Sequence, residues 1–593
     1  MRLVQSTPRS LPFSLPCVIA SAVSVFILGG CAIFSGEATL DSGGPADIVF
    51  QGGKIYTVDD ANEGATAVAV RGDTIVAVGD AGDMRGLIGE STRVVELGDG
   101  ALTPGFIDAH GHLSMVMVML DLLNVSSPPV GPMESVEDIV AALKARIDEL
   151  EIPPGTMVAG YGYDDSLLAE GRHPTRRDLD RASSEHPILL MHVSGHLTTL
   201  NSQGLAWAGL DASSENPPGG VIRREAGSRV PNGVLEEVAA TLALTKAFTA
   251  SGAISTPQGF MSALSRAIDY HASFGITTIQ DGASNLESVA GLRGISAMRP
   301  LAVDVAAYPV GNAMGDGEDL ASFGYTKDYK GGFRVAGVKF VLDGSPQGRT
   351  AWMSEPYDEG PPGHGSDYVA YPIIEPEHYL KQSARLLQAG IPIIVHSNGD
   401  AAIDLMIQSV DEAFAGGDLK DHRSVTIHGQ LTRKDQLDSM ARLNIIPSFF
   451  SAHSFFWGDW HRRSFGDDRA MSISPTASAL SRGVTFTLHN DAPVVPPHIL
   501  RLLEITVDRR TRDGVILGED ERISFREALK GVTINAAYSY FEEGRKGSIS
   551  VGKQADLVVL GADPEQVPTQ QISEIEILET IARGKTVYSA EAP

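Results

Sequence analysis

Short runs of apolar residues alternate with helix-like stretches through the middle of the chain. Eight runs have the length of buried parallel strands and are bounded by Gly, Pro or polar residues: LTPGFIDA, ITTIQDG, LAVDVAAY, VAGVKFVLDG, IPIIVHS, SVTIHG, IIPSFF and VTFTLHND. Between them lie amphipathic segments, such as residues 135–150, 375–390 and 433–444, whose apolar residues recur at helical spacing. This succession predicts an α/β fold with a (β/α)8 TIM barrel.

The two ends of the chain have a different pattern, with short β segments separated by glycine. ADIVFQGGKIYTV and TAVAVRGDTIVAVG lie near the start, and GSISVGKQADLVVL and ILETIARGKTVYS lie near the end. Chain termini of a domain often lie close together. We therefore predict a small β-sandwich built from residues 46–103 and 545–593, on either side of a barrel at 104–544.

The barrel segment is much longer than the about 250 residues of a plain (β/α)8 barrel. The excess lies between the first and second barrel strands, at residues 114–275. This stretch has strand-like pieces of its own, TMVAGYGY and PILLMHVSGH. We predict an insertion that covers the mouth of the barrel.

The first 30 residues are predicted to be a signal peptide rather than part of the fold. A basic start with Arg2 and Arg9 precedes an apolar run at 18–28, which is too short to span a bilayer. The run ends in LGGC, which resembles the bacterial lipobox, so Cys31 is the expected lipidation site. An ordinary secretory signal and a membrane anchor are the alternatives. Residues 31–45 are small and polar and are typical of a tether.

A lipidated Cys31 predicts a protein that faces the periplasm, anchored in the outer membrane because Ala32 follows the cysteine. The only other cysteine, Cys17, lies in the signal peptide, so the mature chain would have no thiolate ligand for a metal. The composition, 43% hydrophobic and 20% charged, is that of a globular protein. A net charge of −27 argues against a nucleic-acid partner. The sequence is compatible with a homo-oligomer but does not require one.

Metal-binding residue types stand at the ends of several predicted barrel strands. The first strand ends in His110 and His112, which share a face because residues i and i+2 of a strand point the same way. The fifth ends in His396, the sixth in His428 and the eighth in Asp491. Because barrel enzymes place their chemistry at the carboxyl ends of the strands, these side chains predict a site for zinc or a similar divalent ion. A single one of these histidines would more simply be a core residue.

Several motifs in this order resemble those of the amidohydrolase superfamily, in particular its amidohydrolase-3 or YtcJ-like branch, which includes formamide-type deformylases. They are PGFIDAHGHL, GYGYDDSLLAEGRHPTRRDLD, HVSGHLTTLNS, VKFVLDGS, VHSNGD, IHGQ, HNDAP and GSISVGKQADLVVL. They span roughly residues 46–590. The resemblance implies a metal-dependent hydrolase with a (β/α)8 barrel and a β-sandwich formed by both termini.

The resemblance also implies roles for individual residues. His110 and His112 would bind one metal together with Asp491, and His396 and His428 would bind a second. Lys339 corresponds to a lysine that the family carboxylates to bridge the two metals; a bare ammonium has no lone pair for a metal. Lys339 is otherwise a salt-bridging lysine. One or two divalent ions per chain, zinc first, are expected.

His192, His196 and Glu236 lie in the predicted insertion, and Trp457 and Trp460 lie in the barrel segment. His192 and His196 have the i, i+4 spacing of a zinc-binding helix, but the apolar PILLM before them and the SGH within them argue against a helix. His196 is either a pocket donor or a structural residue. Glu236 is either a pocket carboxylate or a surface one, and Trp457 and Trp460 line a pocket or simply pack.

The residues and the resemblance together predict an enzyme that cleaves an amide-type C–N bond of a small N-acyl or N-formyl compound. Metal-activated water would attack the carbonyl, and Asp491 would transfer the proton. Lactones, carbamates and other C–O or C–N bonds suit the same machinery. A non-catalytic metal-binding or solute-binding lipoprotein is the alternative from another class. A serine hydrolase lacks support because the Gly-x-Ser-x-Gly motif does not occur.

Overall fold

The computed structural model describes residues 43–250, 256–315, 323–361 and 363–590. The predicted signal peptide, Cys31 and most of the tether lie outside these ranges. No helix among the described residues combines the length and the apolar character needed to cross a bilayer.

The described residues form strands that we number in chain order. They are β1 (Ile48–Gln51), β2 (Lys54–Ile55), β3 (Ala67–Arg71), β4 (Thr74–Gly79), β5 (Arg93–Glu96), β6 (Ala101–Pro104), β7 (Phe106–Ile107), β8 (Leu123–Asn124), β9 (Val158–Tyr163), β10 (Ile188–His192), β11 (Leu197–Leu200), β12 (Gly220–Arg224), β13 (Pro231–Glu237), β14 (Ile276–Ser284), β15 (Asp304–Pro309), β16 (Phe333–Val335), β17 (Val338–Val341), β18 (Ile393–Ser397), β19 (Val425–His428), β20 (Ile446–Phe449), β21 (Thr487–Leu488), β22 (Leu557–Leu560), β23 (Ile577–Ala582) and β24 (Lys585–Ser589).

The α-helices are also numbered in chain order. They are α1 (Leu113–Met119), α2 (Val136–Glu149), α3 (Arg176–Asp180), α4 (Ser202–Ala208), α5 (Val238–Ala250), α6 (Pro257–Ala272), α7 (Leu286–Met298), α8 (Pro376–Gln388), α9 (Asp400–Ala413), α10 (Lys434–Leu443), α11 (His453–Phe456), α12 (Gly458–Phe465), α13 (Asp467–Ala470), α14 (Thr476–Ser481), α15 (Ile499–Asp508), α16 (Phe525–Gly531) and α17 (Ile534–Ser539). Helices α2, α8 and α10 fall within the three amphipathic segments predicted from the sequence.

Helix α2 shows why its residue pattern predicts a helix. Ser135 accepts the backbone N–H of Asp138, whose carboxylate bonds back to Ser135, so the first turn is capped at both positions. The helix then buries Ile139, Val140 and Leu143 on one face. Apolar residues three and four positions apart thus lie on the packed side of the helix.

The β-rich ends of the chain form two sheets. One has the order β4-β3-β1-β5 and uses only the N-terminal segment. The other has the order β2-β6-β22-β23-β24 and pairs the two ends of the chain, because β6 is antiparallel to β22. Phe50 and Val68 from the first sheet share a buried core with Leu557 and Ile581 from the second. The predicted sandwich from both termini is confirmed.

The middle of the chain forms a parallel barrel wall in two arcs, β16-β15-β14-β7 and β17-β18-β19-β20-β21. The predicted fourth strand is interrupted at Ala336 and Gly337. Its first half, β16, pairs with β15, and its second half, β17, pairs with β18. A side chain at Gly337 would meet the carbonyl oxygen of Pro392 at 2.4 Å, so this close approach requires glycine. The eight predicted strands are therefore all present; the fourth is in two pieces, and the first is divided between β6 of the sandwich and β7 of the barrel.

The first and last barrel strands meet at the mouth through backbone hydrogen bonds. The Asp491 N–H donates to the His110 carbonyl at 3.2 Å, and the His112 N–H donates to the Ala492 carbonyl at 2.8 Å. These bonds hold the ends of β7 and β21 side by side. Two segments that are far apart in sequence are fixed next to one another where metal-binding side chains emerge.

The insertion after the first barrel strand contains a six-stranded sheet of order β12-β13-β11-β10-β9-β8. Helices α1 and α6, at the edges of the predicted insertion, contact each other and β14, so they cover the barrel wall as barrel helices do. The inserted sheet itself begins at β8 and ends at β13. His192 is the last residue of β10 and His196 lies in the turn before β11, so the i, i+4 pair does not lie on a helix.

Candidate metal centre

The structure brings all six predicted ligands to the mouth of the barrel. Five of them lie at or just beyond the carboxyl ends of their strands, and Lys339 lies within its strand: His110 and His112 after β7, Lys339 on β17, His396 on β18, His428 at the end of β19 and Asp491 after β21. All but His112, which is partly buried, are buried. Their burial separates the site from bulk water, where carboxylates and imidazoles would otherwise be solvated.

Asp491 is the residue that joins the two histidines of the first strand. Its Oδ1 lies 3.0 Å from His112 Nε2 and 3.4 Å from His110 Nε2. Lys339 Nζ approaches the same His110 nitrogen at 3.1 Å. His110, His428 and Asp491 each offer a ligand atom, and these atoms all lie within 4.8 Å of one another.

The second pair of predicted ligands is in direct contact. His396 Nδ1 and His428 Nε2 are 2.9 Å apart, and Asp491 Oδ2 lies 3.9 Å from His428 Nε2. Asp491 thus faces both groups of histidines, with one carboxylate oxygen toward each. A carboxylate in this position can serve either one ion or two.

The three deeply buried imidazoles are uncharged. Burial lowers the pKa of His110, His396 and His428 well below the ordinary value, and the neighbouring cationic groups lower each pKa further. Burial alone would raise the pKa of Asp491, but the contact with His112 holds it below the ordinary value. The site therefore offers neutral imidazoles and one carboxylate, the forms that bind a divalent ion.

Polar partners on the outer side of each imidazole select which nitrogen faces the centre. His110 Nδ1 lies 2.6 Å from Gln280 Oε1 and donates to it, and His396 Nε2 lies 3.1 Å from both the Gly344 carbonyl and the Asn398 amide nitrogen. The amide of Gln280 is oriented, since its Nε2 donates to the Ala109 carbonyl at 2.9 Å. With the proton on His110 Nδ1 and on His396 Nε2, the lone pairs of His110 Nε2 and His396 Nδ1 point toward the centre, as metal-bound histidines require.

His428 is supported in the same way by a histidine that the sequence reading did not single out. His428 Nδ1 lies 3.1 Å from His489 Nε2, and His489 Nδ1 lies 2.8 Å from Ser448 Oγ. With a proton on Nδ1 of each ring, His428 donates to His489 and His489 donates to Ser448. This arrangement leaves the lone pair of His428 Nε2 free to bind a metal ion. The donor set and its outer shell fit a divalent metal ion.

Lys339 is buried among these groups without a carboxylate at salt-bridge distance within the described residues. Burial lowers the pKa of its amine to about 7, although Asp491 partly opposes this shift. A large fraction of the amine is therefore uncharged near neutral pH. Only the uncharged amine has the lone pair that attacks CO2 to give a carbamate, so Lys339 has the protonation state that carboxylation requires.

Two of the predicted ligands have unusual backbone conformations. His428 has φ +73° and Asp491 has φ +56°, in the left-handed region that residues other than glycine seldom adopt. Such conformations cost about 1–3 kcal/mol each and are concentrated at functional sites. At Asp491 the backbone is held there by bonds to His110 and from Val494.

The insertion contributes His196 to the mouth, where its ring centroid lies 4.8 Å from that of His396. His196 Nδ1 lies 2.6 Å from Glu237 Oε2, and Glu237 Oε1 accepts the Thr350 hydroxyl at 2.7 Å. Burial lowers the pKa of His196, but the Glu237 carboxylate more than compensates and raises it overall. The adjacent Glu237 therefore fixes the orientation of this ring.

Glu236, for which the sequence leaves open a pocket role or a surface position, is buried. Its carboxylate pairs with the Arg223 guanidinium and accepts the Tyr371 hydroxyl at 3.4 Å. Glu237, the next residue, has φ +51°, outside the extended range of a strand, and its carboxylate is the one that contacts His196. Trp457 is buried and donates to Asp164 at 2.6 Å, and Trp460 donates to the Gln347 carbonyl at 3.1 Å.

Four residues around the centre escaped the sequence reading: Gln280, Asp343, His489 and Glu237. Asp343 accepts the backbone N–H groups of Trp352, Asn398 and Gly399 at 2.8–3.0 Å and ties the loops after β17 and β18 together. His489 carried a usable signal, because it stands two residues before Asp491 just as His110 stands two before His112. Gln280, Asp343 and Glu237 carried no such signal, since the residues they contact are remote in sequence.

Residues 93–588 match the family model described as "Amidohydrolase family". The chain belongs to the amidohydrolase family. This amidohydrolase is 27% identical to the N-substituted formamide deformylase of Arthrobacter pascens, over 91% of this chain and 98% of that protein. It is 26% identical to the putative amidohydrolase YtcJ of Bacillus subtilis (strain 168), over 91% of this chain and 99% of the relative.

The fold of the amidohydrolase is shared with solved structures. It matches an uncharacterized metal-dependent hydrolase from Pyrococcus horikoshii OT3 with a TM-score of 0.68 and 20% identity, over 88% of this chain and 99% of that one. The predicted (β/α)8 fold class is thereby confirmed. Membership of the family identifies the protein as a metal-dependent hydrolase, an enzyme that acts on carbon–nitrogen bonds.

Proposed function

We propose that this amidohydrolase cleaves the amide-type C–N bond of a small N-acyl or N-formyl compound. The observation that carries the proposal is the set of buried, neutral imidazoles that share the barrel mouth with the Asp491 carboxylate. The similarity to a protein named N-substituted formamide deformylase supports an N-formyl or related amide as the substrate class.

The residues fit one or two divalent ions, zinc being the first expectation. His110, His112 and Asp491 would hold one ion, and His396 and His428 would hold another, with Lys339 between them if it is carboxylated. A bound divalent ion supplies two effects, lowering the pKa of water and polarising the scissile carbonyl. The remaining work falls to side chains of the chain itself.

Asp491 is the proposed proton carrier. Its Oδ1 contacts His112 at 3.0 Å and lies 3.4 Å from His110, whereas Oδ2 has only the 3.9 Å approach to His428. Oδ2 therefore accepts the proton of the attacking water and returns it to the leaving nitrogen, which must be protonated before the amine departs. Because its pKa is below the ordinary value, Asp491 is ionised and ready to accept at neutral pH.

His196 is the proposed donor to the substrate carbonyl oxygen. Glu237 holds Nδ1, so the Nε2 edge of the ring remains for the substrate beside His396. A fixed donor next to developing negative charge stabilises the transition state more than the ground state. The insertion would thereby contribute directly to the reaction.

The direct test is a hydrolysis screen with zinc-loaded enzyme over matched N-formyl amines, N-acetyl amines, carbamates and lactones. Released amine and released carboxylate are quantified separately, because only C–N cleavage yields both. We expect turnover of amides that is lost in Asp491→Asn and retained in Asp411→Asn, a substitution on the surface. Turnover confined to lactones would replace the amide assignment by an esterase-type one.

A further inference from the structure

A second group of metal-binding side chains lies in the insertion, apart from the barrel centre. Asp165 follows β9, His173 precedes α3 and His192 ends β10, and all three are buried. Strands β9 and β10 run parallel, and their register shifts so that His192 pairs with Tyr163. The loop after β9 therefore turns back over the end of β10, which brings Asp165 to His192.

The carboxylate of Asp165 lies between the two imidazoles. Its Oδ1 is 3.0 Å from His192 Nε2, and its Oδ2 is 3.5 Å from His173 Nε2. One ligand atom from each residue lies within 4.8 Å of the other two. A group of two histidines and one carboxylate at this separation matches the protein ligands of many zinc and iron(II) sites.

The outer nitrogens of both rings have polar partners, as in the barrel centre. His192 Nδ1 lies 2.8 Å from Ser194 Oγ, and His173 Nδ1 lies 3.3 Å from the Tyr163 hydroxyl. The Ser194 backbone N–H also approaches His192 Nδ1 at 3.2 Å, so in the absence of a cation the proton sits on Nε2 and bonds to Asp165. A cation bound by His192 Nε2 would displace that proton, and Nδ1 would then donate to Ser194 Oγ.

The electrostatic surroundings also suit a cation. Burial lowers the pKa of His173 to about 3, which leaves its imidazole neutral. Burial acts to raise the pKa of Asp165, but the two histidines and Arg223 lower it overall, so it is ionised. Arg223, the cationic side chain that acts on both groups, is itself paired with Glu236.

We propose that Asp165, His173 and His192 form a second, independent site for a divalent ion of the zinc class. It shares no ligand with the barrel centre. The ion would join the three segments of the insertion that bear its ligands. The neighbouring Asp164 accepts the Trp457 indole N–H at 2.6 Å, which connects the same loop to the barrel.

The first test uses mature full-length protein whose barrel centre has been disabled at both groups of histidines by His110→Ala, His396→Ala and Asp491→Ala. We expect this protein to retain about one zinc ion per chain after gel filtration, held by two histidines and one carboxylate with a fourth position left for water. Adding His173→Gln and Asp165→Asn should remove that zinc, whereas adding Asp148→Asn, an exposed change in the insertion, should not. A folded barrel-deficient protein that holds no zinc, or zinc that survives the added His173→Gln and Asp165→Asn changes, would overturn the proposal.

A second test avoids disabling the barrel. His173→Gln alone in the intact enzyme should lower the zinc content by about one ion per chain and abolish the part of the zinc-induced Tm increase that belongs to the insertion. Cobalt(II) replacement should show one fewer visible absorption component in the same variant. An unchanged zinc content, with an unchanged cobalt spectrum, would count against the site. Neither readout depends on which bond the enzyme hydrolyses.

Discussion

His489 supports His428 from behind, with His428 Nδ1 at 3.1 Å from His489 Nε2 and Ser448 Oγ closing the chain at 2.8 Å. All three residues are buried at the mouth: His428 ends β19, His489 follows β21 and Ser448 lies on β20. The pair makes His489 an outer partner of a proposed metal ligand rather than a ligand. Its role is to accept the hydrogen bond from His428 Nδ1, which leaves His428 Nε2 free to bind a metal ion.

We therefore predict that His489→Phe, which keeps the ring but removes the acceptor, weakens zinc binding at the barrel centre by about 10- to 100-fold. Competition with a chromophoric chelator measures the change. His364→Phe, an exposed position, is the matched control. Unchanged zinc affinity in a folded His489→Phe protein would reduce His489 to a packing residue.

Lys339→Ala should lose bound metal and activity if Lys339 acts through a carbamate. The substitution leaves a cavity in a buried site, so added formate, acetate or propionate should restore part of the metal content and turnover. Metal analysis with and without the acids gives the answer. A Lys339→Ala protein that holds its metal normally without added acid would make Lys339 an ordinary buried lysine.

Asp491→Asn keeps the size of the side chain but removes the basic oxygen that accepts the water proton. Loss of one proton-transfer group lowers the rate by about 10²–10⁴-fold, and the loss of a ligand adds to this. Small carboxylates should rescue it poorly, because the asparagine still fills the space. Steady-state kinetics at saturating zinc measures kcat; near-normal turnover would assign the base elsewhere.

Glu237→Gln replaces a charge-assisted hydrogen bond to His196 by a neutral one. Hydrogen bonds to charged groups contribute about 1.5–3 kcal/mol, so we expect kcat/KM to fall by about 10- to 100-fold. Glu215→Gln, an exposed change in the insertion, should have no effect. A parallel measurement on Glu236→Gln decides between the neighbouring carboxylates: a larger loss there than in Glu237→Gln would refute the assignment.

We also propose that Cys31 carries the lipid anchor and that the mature protein faces the periplasm from the outer membrane. Cys31→Ser should move the protein from the membrane fraction to the soluble periplasmic fraction and abolish labelling by a radioactive fatty acid. The same fractions of the unsubstituted protein provide the reference. Membrane attachment that persists in Cys31→Ser without lipid label would contradict the lipobox interpretation.

The fold class and most of the proposed metal ligands could be predicted from the sequence alone. The alternation of buried strands and amphipathic helices determined the barrel, because strand and helix periods are local properties of the chain. The same reasoning placed His110, His396, His428 and Asp491 together, since the carboxyl ends of barrel strands converge on one mouth. The similar texture of both chain ends likewise indicated a shared sheet.

Only the tertiary structure decided which side chains support that centre. His489 and Gln280 are recognised by the rings they contact, and the choice of Glu237 over Glu236 depends on how the inserted sheet lies on the barrel. The grouping of Asp165 with His192 depends on a register shift between β9 and β10. Such contacts join segments that are distant along the chain, and the packing that creates them leaves no periodic signal in the sequence.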